Sequence, residues 1–190
     1  MRYGILVMAM VVAGCATPRV MFPTKYAIDP KVEVRVAQCL DKSLGIRPVQ
    51  AARPYRQKVV YRDAGFVLGE YPSVEWAEMP ADVFTRVLAD AIVATRRFRD
   101  VGNAADLVMP DLILTGGLRK FDVVGSASPW AAQCEVRLGL RDAQEPQAVW
   151  AQTLSERVPL ERDDPAALPA AMTTAVEKVV ERAAEGIAGR

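Results

Sequence analysis

Residues 111–123, 131–140 and 148–158 alternate apolar with polar side chains, which is the period of strands with one buried face. Two short, turn-rich links join them, Gly125-Ser126-Ala127-Ser128-Pro129 and Asp142-Ala143-Gln144-Glu145-Pro146. Links of this length connect antiparallel neighbours, because a parallel pair needs a crossover of a dozen or more residues. A three-stranded meander is therefore the part of the fold the chain can least avoid. Its solvated face carries Glu135, Arg137 and Arg141. Gly116-Gly117 falls inside the first run, lacks the spacing and the Lys of a phosphate-binding loop, and predicts a bulge or a close backbone approach.

Two amphipathic helices accompany the meander. Over 81–97, Val83, Phe84, Val87, Leu88, Ala91 and Ile92 recur at helical spacing behind Pro80, a favoured first-turn residue; Phe98 and Val101, then Gly102-Asn103, close the segment. Asp163-Asp164-Pro165 announces a terminal helix. Its buried stripe is Leu168, Met172, Ala175 or Val176, Val179, Ala183 and Ile187, with Glu177, Lys178, Glu181, Arg182 and Glu185 outside; Pro169 delays its regular part. Earlier in the chain, Val32, Val34 and Val36 alternate with Lys31, Glu33 and Arg35 and predict a strand over 31–37. Residues 57–62 and 66–71 predict a hairpin turning at Ala64-Gly65. The sum is an α+β domain over residues 31–190, a mostly antiparallel twisted sheet of about six strands with both helices packed on one face.

The chain begins with a different kind of segment. Arg2, an apolar run from Ile5 to Val12, and the small residues Ala13 and Gly14 lead to Cys15. About eight apolar residues are too few to span a bilayer, which takes roughly twenty. Residues 1–14 therefore read as a signal peptide. Val12-Ala13-Gly14-Cys15 resembles the lipobox of bacterial lipoproteins, which implies lipid attachment at Cys15; the alternative is an ordinary secretory signal with a chance Cys. Ala16 follows, rather than the Asp that resembles an inner-membrane retention signal, which implies the inner leaflet of the outer membrane, facing the periplasm. Residues 15–30, with Pro18, Pro23 and Pro30, read as an extended tether.

Composition narrows the chemistry. With 24 Lys and Arg against 23 Asp and Glu, the chain is nearly neutral and has no electrostatic draw on nucleic acid. It contains no His, so the commonest general base and the commonest metal ligand are missing; no metal site, cofactor or catalytic residue is expected. Glu75 and Glu78 could form an acid pair, but two carboxylates ahead of a helix more simply favour its positive end. Cys39 and Cys134 could pair in an oxidising compartment, though two separately buried thiols fit their apolar neighbours better. Trp76 and Trp130 lie outside the middle of regular elements and are candidate partner contacts, against the simpler role of rings folded onto the core edge. The uncharged segment 123–130 is a candidate oligomer or partner surface.

One ordered set of residues is similar to a known family. Val59-Val60-Tyr61-Arg62, Trp76-Ala77-Glu78 with Pro80 ahead of the long helix, Phe98, Val101, and Asp111-Leu112-Ile113-Leu114 with Gly116, Leu118 and Phe121 resemble the ABC-type transport auxiliary lipoproteins, including PqiC-like components of intermembrane lipid transport. Met79 stands where such proteins often have Pro. The resemblance implies a non-catalytic lipoprotein, held in the membrane by its N-terminal lipid, that works with an ABC permease, its ATPase and a periplasmic MCE-domain protein; it also implies possible homo-oligomers. The alternative is a structural or regulatory envelope lipoprotein that assembles an outer-membrane machine without lipid cargo. A third possibility, a lipid carrier, requires a large apolar cavity, whereas stripes of ordinary width predict a filled core.

Overall fold

The structure is a computed structural model and describes residues 22–36, 38–63, 67–125, 129–145 and 147–190. Cys15 and the signal segment lie outside the described residues, as do the Ala64-Gly65 turn and residues 126–128. In chain order the elements are β1 (Thr24–Tyr26), β2 (Leu40–Ile46), β3 (Gln50–Ala51), β4 (Lys58–Arg62) and β5 (Leu68–Trp76). They continue with α1 (Pro80–Ala94), β6 (Phe98–Asn103), β7 (Leu112–Val124), β8 (Ala131–Asp142), β9 (Ala148–Pro159) and α2 (Leu168–Ala188). A single 3-10 turn at Pro165–Ala167 precedes α2, the looser entry that Pro169 predicts.

The meander is present as predicted: β7 pairs antiparallel with β8, and β8 with β9. The rest of the sheet departs from expectation. Among the described residues it has nine strands rather than about six, and it is mixed rather than mostly antiparallel. Three short strands share the second edge of β7, all parallel to it. Leu44–Ile46 of β2 lies against Leu112–Leu114, Gln50–Ala51 of β3 against Gly117–Leu118, and Val60–Arg62 of β4 against Asp122–Val124. Outside β4 lies β5, antiparallel, as the predicted hairpin requires; β1 and β6 extend the margins in parallel pairings with β5 and β2. Parallel pairing became possible because α1 is a crossover, carrying the chain from β5 to β6. Gly45 and Pro48 broke the strand signal of β2 and β3, and Phe98–Asn103 is strand β6 rather than a helix end.

Residues 31–36 are not a strand. Their alternation is nonetheless real at the level of burial: Val34 is buried and Val32 and Val36 are partly buried against the core, while Lys31, Glu33 and Arg35 are exposed. The segment is held through side chains and through the Lys31 amide, which donates to Glu177 Oε1 of α2 at 3.1 Å, not through a ladder.

The core lies between the sheet and the two helices. From β7 and β8, Leu112, Leu114, Leu118, Phe121 and Val123 interleave with Ala132, Cys134, Val136, Leu138 and Leu140. All six predicted core positions of α1 are buried, as is the whole predicted stripe of α2. The α2 stripe is wider than predicted, taking in Ala171, Val180, Ala184 and Ala188, because α2 contacts β8, β9 and α1 together. At Gly116-Gly117 the ladder is regular, and the bulge lies further on, between Leu118 and Lys120; Gly116 is needed instead for side-chain packing, since a Cβ there would come within 2.6 Å of Leu138 Cδ2 and 3.1 Å of Val49.

One polar cluster is buried on the opposite face of the sheet. Asp122, whose side chain is fully buried, accepts at Oδ2 from Tyr55 Oη (2.9 Å), Arg62 Nε (3.2 Å) and Arg62 Nη2 (3.0 Å). Arg62 Nη2 also donates to Tyr55 Oη at 2.9 Å. Oδ1 of Asp122 has no partner among the described residues. Burial raises the Asp122 pKa in spite of the Tyr55 hydrogen bond and the Arg62 charge. Burial, then the charge of Asp122, pushes the Tyr55 phenol up from 10.0 to about 12. This cluster ties the 52–57 loop to β4 and β7 and fixes Arg62 at the end of the sheet.

Three outcomes follow from this packing. Phe84→Ala, at a side chain with no exposed surface, is expected to cost about 3–5 kcal/mol in chemical denaturation. Tyr55→Phe removes one donor from a buried carboxylate and is expected to cost about 1–3 kcal/mol. Because the folded state holds the Tyr55 phenol protonated, its contribution is complete below pH 10.0 and is lost as pH rises toward about 12. An ultraviolet phenolate titration should therefore show a late-ionising tyrosine in the wild type that Tyr55→Phe lacks.

Candidate functional site

Arg62 leads to a place where three partly exposed rings come together at the surface. The ends of β4 and β7 are stitched by the Gly125 amide, which donates to the Arg62 carbonyl at 3.0 Å. Beside them a cleft of about 380 Å³ is lined by Tyr61, Tyr71 and Trp130, with Arg62 and Glu70 among its charged groups. Tyr61 and Tyr71 pack with centroids 5.0 Å apart and planes tilted by 52°. This arrangement requires Gly69: a Cβ there would sit 2.3 Å from the Tyr61 ring. Burial, with the neighbouring Tyr61, raises the Tyr71 phenol pKa, so it remains a neutral donor.

Trp130 is held by its backbone, its amide donating to Asp163 Oδ1 at 2.7 Å and its carbonyl accepting from the Leu160 amide at 2.7 Å. The half-buried indole borders Gly125 and the cleft, so a rigid backbone presents an open ring. The volume falls in the roughly 300–1,000 Å³ range of sites that take a ligand or a partner's side chain. Two phenols and an indole beside a guanidinium and a carboxylate suit an amphipathic contact, apolar in body and polar at the rim.

The other sequence candidates are placed elsewhere. Trp76 is 3% exposed and packs edge-on against Phe121, with centroids 5.2 Å apart and planes at 72°. Its ring serves the core, and it borders an apolar pocket of about 280 Å³ shared with Tyr26, Ile28 and Val83. Its Nε1 has no partner among the described residues. Cys39 and Cys134 are free thiols, Cys39 exposed and Cys134 buried, so no disulfide joins them and only Cys134 is the buried thiol expected. Burial raises the Cys134 pKa strongly, which keeps the sulfur protonated and inert. Glu75 pairs with Lys58 at 2.7 Å and Glu78 with Arg86 at 3.0 Å, so the imagined acid pair is two separate ion pairs. Among the described residues no group of His, Cys, Asp and Glu could hold a metal, and no helix is long and apolar enough to cross a membrane.

Sequence reasoning singled out Trp130 but missed Tyr61, Tyr71 and Arg62 as its companions, and Asp122 and Tyr55 behind them. Asp122 reads as one more polar residue in an alternating strand. Its partner Tyr55 lies in a Pro-containing loop and Arg62 in another strand, so no local signal joins them.

Solved structures share this fold. Protein XCC0632 from Xanthomonas campestris, of the DUF330 family model, is 22% identical and superposes with a TM-score of 0.77 over 87% of this chain and 96% of that one. The hypothetical protein CT253 from Chlamydia trachomatis is 7% identical, with a TM-score of 0.53 over 80% and 100% of the two chains. Among curated proteins, none matches this sequence. The model of the ABC-type transport auxiliary lipoprotein component family matches residues 26–184, from the end of β1 nearly to the end of α2, and the chain belongs to that family.

Proposed function

We propose that this protein is a non-catalytic lipoprotein, anchored through Cys15 in the inner leaflet of the outer membrane, that docks the periplasmic MCE-domain component of an ABC-type lipid transport system. The observation that carries this reading is the family match, which spans nearly the whole described domain. Two acyl chains or more on one Cys, at about 0.8 kcal/mol per buried methylene, hold a protein to a bilayer durably. A tethered domain then meets anything crossing the periplasm at high local concentration.

The geometry supports docking over carriage. The pocket that reaches the core, walled by Trp76 and Phe121, measures about 280 Å³, too little for a two-chain lipid. The aromatic cleft instead offers the kind of ring surface that dominates protein contacts.

The reading is tested in two steps. Cys15→Ala should abolish incorporation of labelled palmitate and release the protein from outer-membrane fractions; unchanged fractionation would reject the anchor. Trp130→Ala should weaken binding of the lipoprotein to the purified MCE-domain protein of its transport system by about tenfold or more while leaving the thermal melt intact. Wild-type protein that fails to bind that partner would reject the docking role.

A further inference from the structure

The face of the sheet that the helices leave open carries cations without acids to match them. Arg137 and Arg141 project from β8 on that face, because Val136, Leu138 and Leu140 take the buried one. Arg119 stands at the register shift of β7. Arg53 and Arg56 lie on the 52–57 loop, which covers Asp122 on the same face and is tied to β7 by the Ala52 amide donating to the Leu118 carbonyl at 2.9 Å. Arg53, Arg56, Arg119 and Arg137 are exposed and Arg141 is partly so. None of the five has an ion pair or a side-chain hydrogen bond among the described residues. The acids on that face are already taken, Glu135 by Lys120 at 2.9 Å and Asp122 by Arg62 at 3.0 Å. In a chain whose charges nearly cancel, this excess leaves the rest of the molecule net acidic.

Beside two of these arginines the sheet is stripped to its backbone. Thr115, Gly139 and Ala151 form one row across β7, β8 and β9, and Gly117, Arg137 and Thr153 form the next. A groove of about 340 Å³ lies over these rows, with Gly117 and Gly139 in its lining and Arg119 and Arg137 as its charged groups. Glycine inside a strand weakens it, and its usual reasons are a bulge, a tight internal contact, or the close approach of something from outside. The first two do not apply here. The ladder is regular at both glycines, and neither has a left-handed backbone. A Cβ on Gly117 would meet only the Gln50 carbonyl, at 3.8 Å, and one on Gly139 only Thr115 Oγ1, at 3.7 Å, which are ordinary contacts. Gly69, Gly116 and Gly186, by contrast, are each pressed by a side chain closer than 3.0 Å. Gly117 and Gly139 serve no packing within the chain, and what they provide is an open floor next to unpaired guanidinium groups.

We propose that this open face docks on an anionic phospholipid surface, with a lipid phosphate seated in the groove that Arg119 and Arg137 line. The planar guanidinium fork matches the oxygens of a phosphate, and a floor without side chains lets that group come close to the strands. The lining also excludes a protein side chain as the natural occupant. It holds no aromatic ring, and its one large apolar side chain, Leu138, is 1% exposed, so the anchors on which protein contacts depend are missing. They are present in the aromatic cleft, which shares no residue with this groove. Cations spread over a broad sheet face suit a layer of headgroups, each guanidinium adding an attraction that salt screens. Phe22, where the described chain begins, lies seven residues after Cys15, a reach of about 23 Å at full extension. The supply of a bilayer at that distance rests on the anchoring reading above; the affinity of the face for anionic lipid does not.

The test is cosedimentation of the full chain carrying Cys15→Ser with vesicles of phosphatidylcholine alone or mixed with phosphatidylglycerol. Without an acyl chain, the difference between the two vesicles reads the face and not the anchor, and residues 1–14 contribute to both alike. The parent should bind the anionic vesicles at least tenfold more tightly at low salt and lose that preference in high salt. Arg119→Gln with Arg137→Gln should weaken binding to the anionic vesicles by about tenfold or more with an unchanged thermal melt, and Lys at both positions should restore part of it. Arg35→Gln with Arg96→Gln removes the same charge from exposed positions outside this face and should change little. Gly117→Val fills the floor and should weaken binding without lowering the melt, which a purely structural glycine would not do. Equal binding of the parent to both vesicles overturns the proposal. So does an equal loss in the two arginine pairs, parental binding by Gly117→Val, or competition by inorganic phosphate or polyglutamate as effective as that by the anionic vesicles.

Discussion

Strand β7 is hydrogen-bonded along both edges, and the rest of the structure is arranged around that fact. Its thirteen residues hold one antiparallel neighbour over their full length on one side and three short parallel strands in succession on the other. A strand so placed cannot shift register without moving every partner. Its inward side chains set the depth of the core, and Gly116 lets Leu138 and Val49 close over it. The two helices then bury the face that β7, β8 and β9 share.

The other face of β7 has a different chemistry. Asp122 is buried there beneath Tyr55 and Arg62, and three of the hydrogen bonds in that cluster converge on a single oxygen. A buried carboxylate with a partner of opposite charge is expensive to break and modest in net stabilisation, so its main consequence is positional. It holds Arg62 at the sheet end where Tyr61, Tyr71 and Trp130 meet. The rigid node behind the cleft and the pinned backbone of Trp130 mean that the rings face solvent already ordered, which lowers the entropy a partner must overcome on binding.

Legibility in the sequence followed the range of the interaction involved. Strands β7, β8 and β9 were readable because alternation and short turns are local. Both helices were readable because an apolar stripe needs only its own seventeen or so residues to declare itself. Strand β2 was not, because Gly45 and Pro48 break its alternation and its partners, Phe98–Asn103 and Leu112–Leu114, are more than fifty residues away. Val32, Val34 and Val36 show the reverse error. A period of two reports which side chains are buried and says nothing about whether a neighbouring backbone is in reach to form a ladder.

By itself the sequence determined the fold class and most of the core: a meander, and two amphipathic helices whose buried residues were named correctly. These are properties of composition and of spacing within one element, and they do not depend on distant partners. Tertiary structure alone decided that the sheet is mixed, that Trp76 is core while Trp130 is open, that Cys39 and Cys134 stay apart, and that Asp122 is buried. Each of those outcomes rests on a contact between residues far apart in the chain, which exists only once α1 has carried the chain across and β7 has gathered strands on both edges.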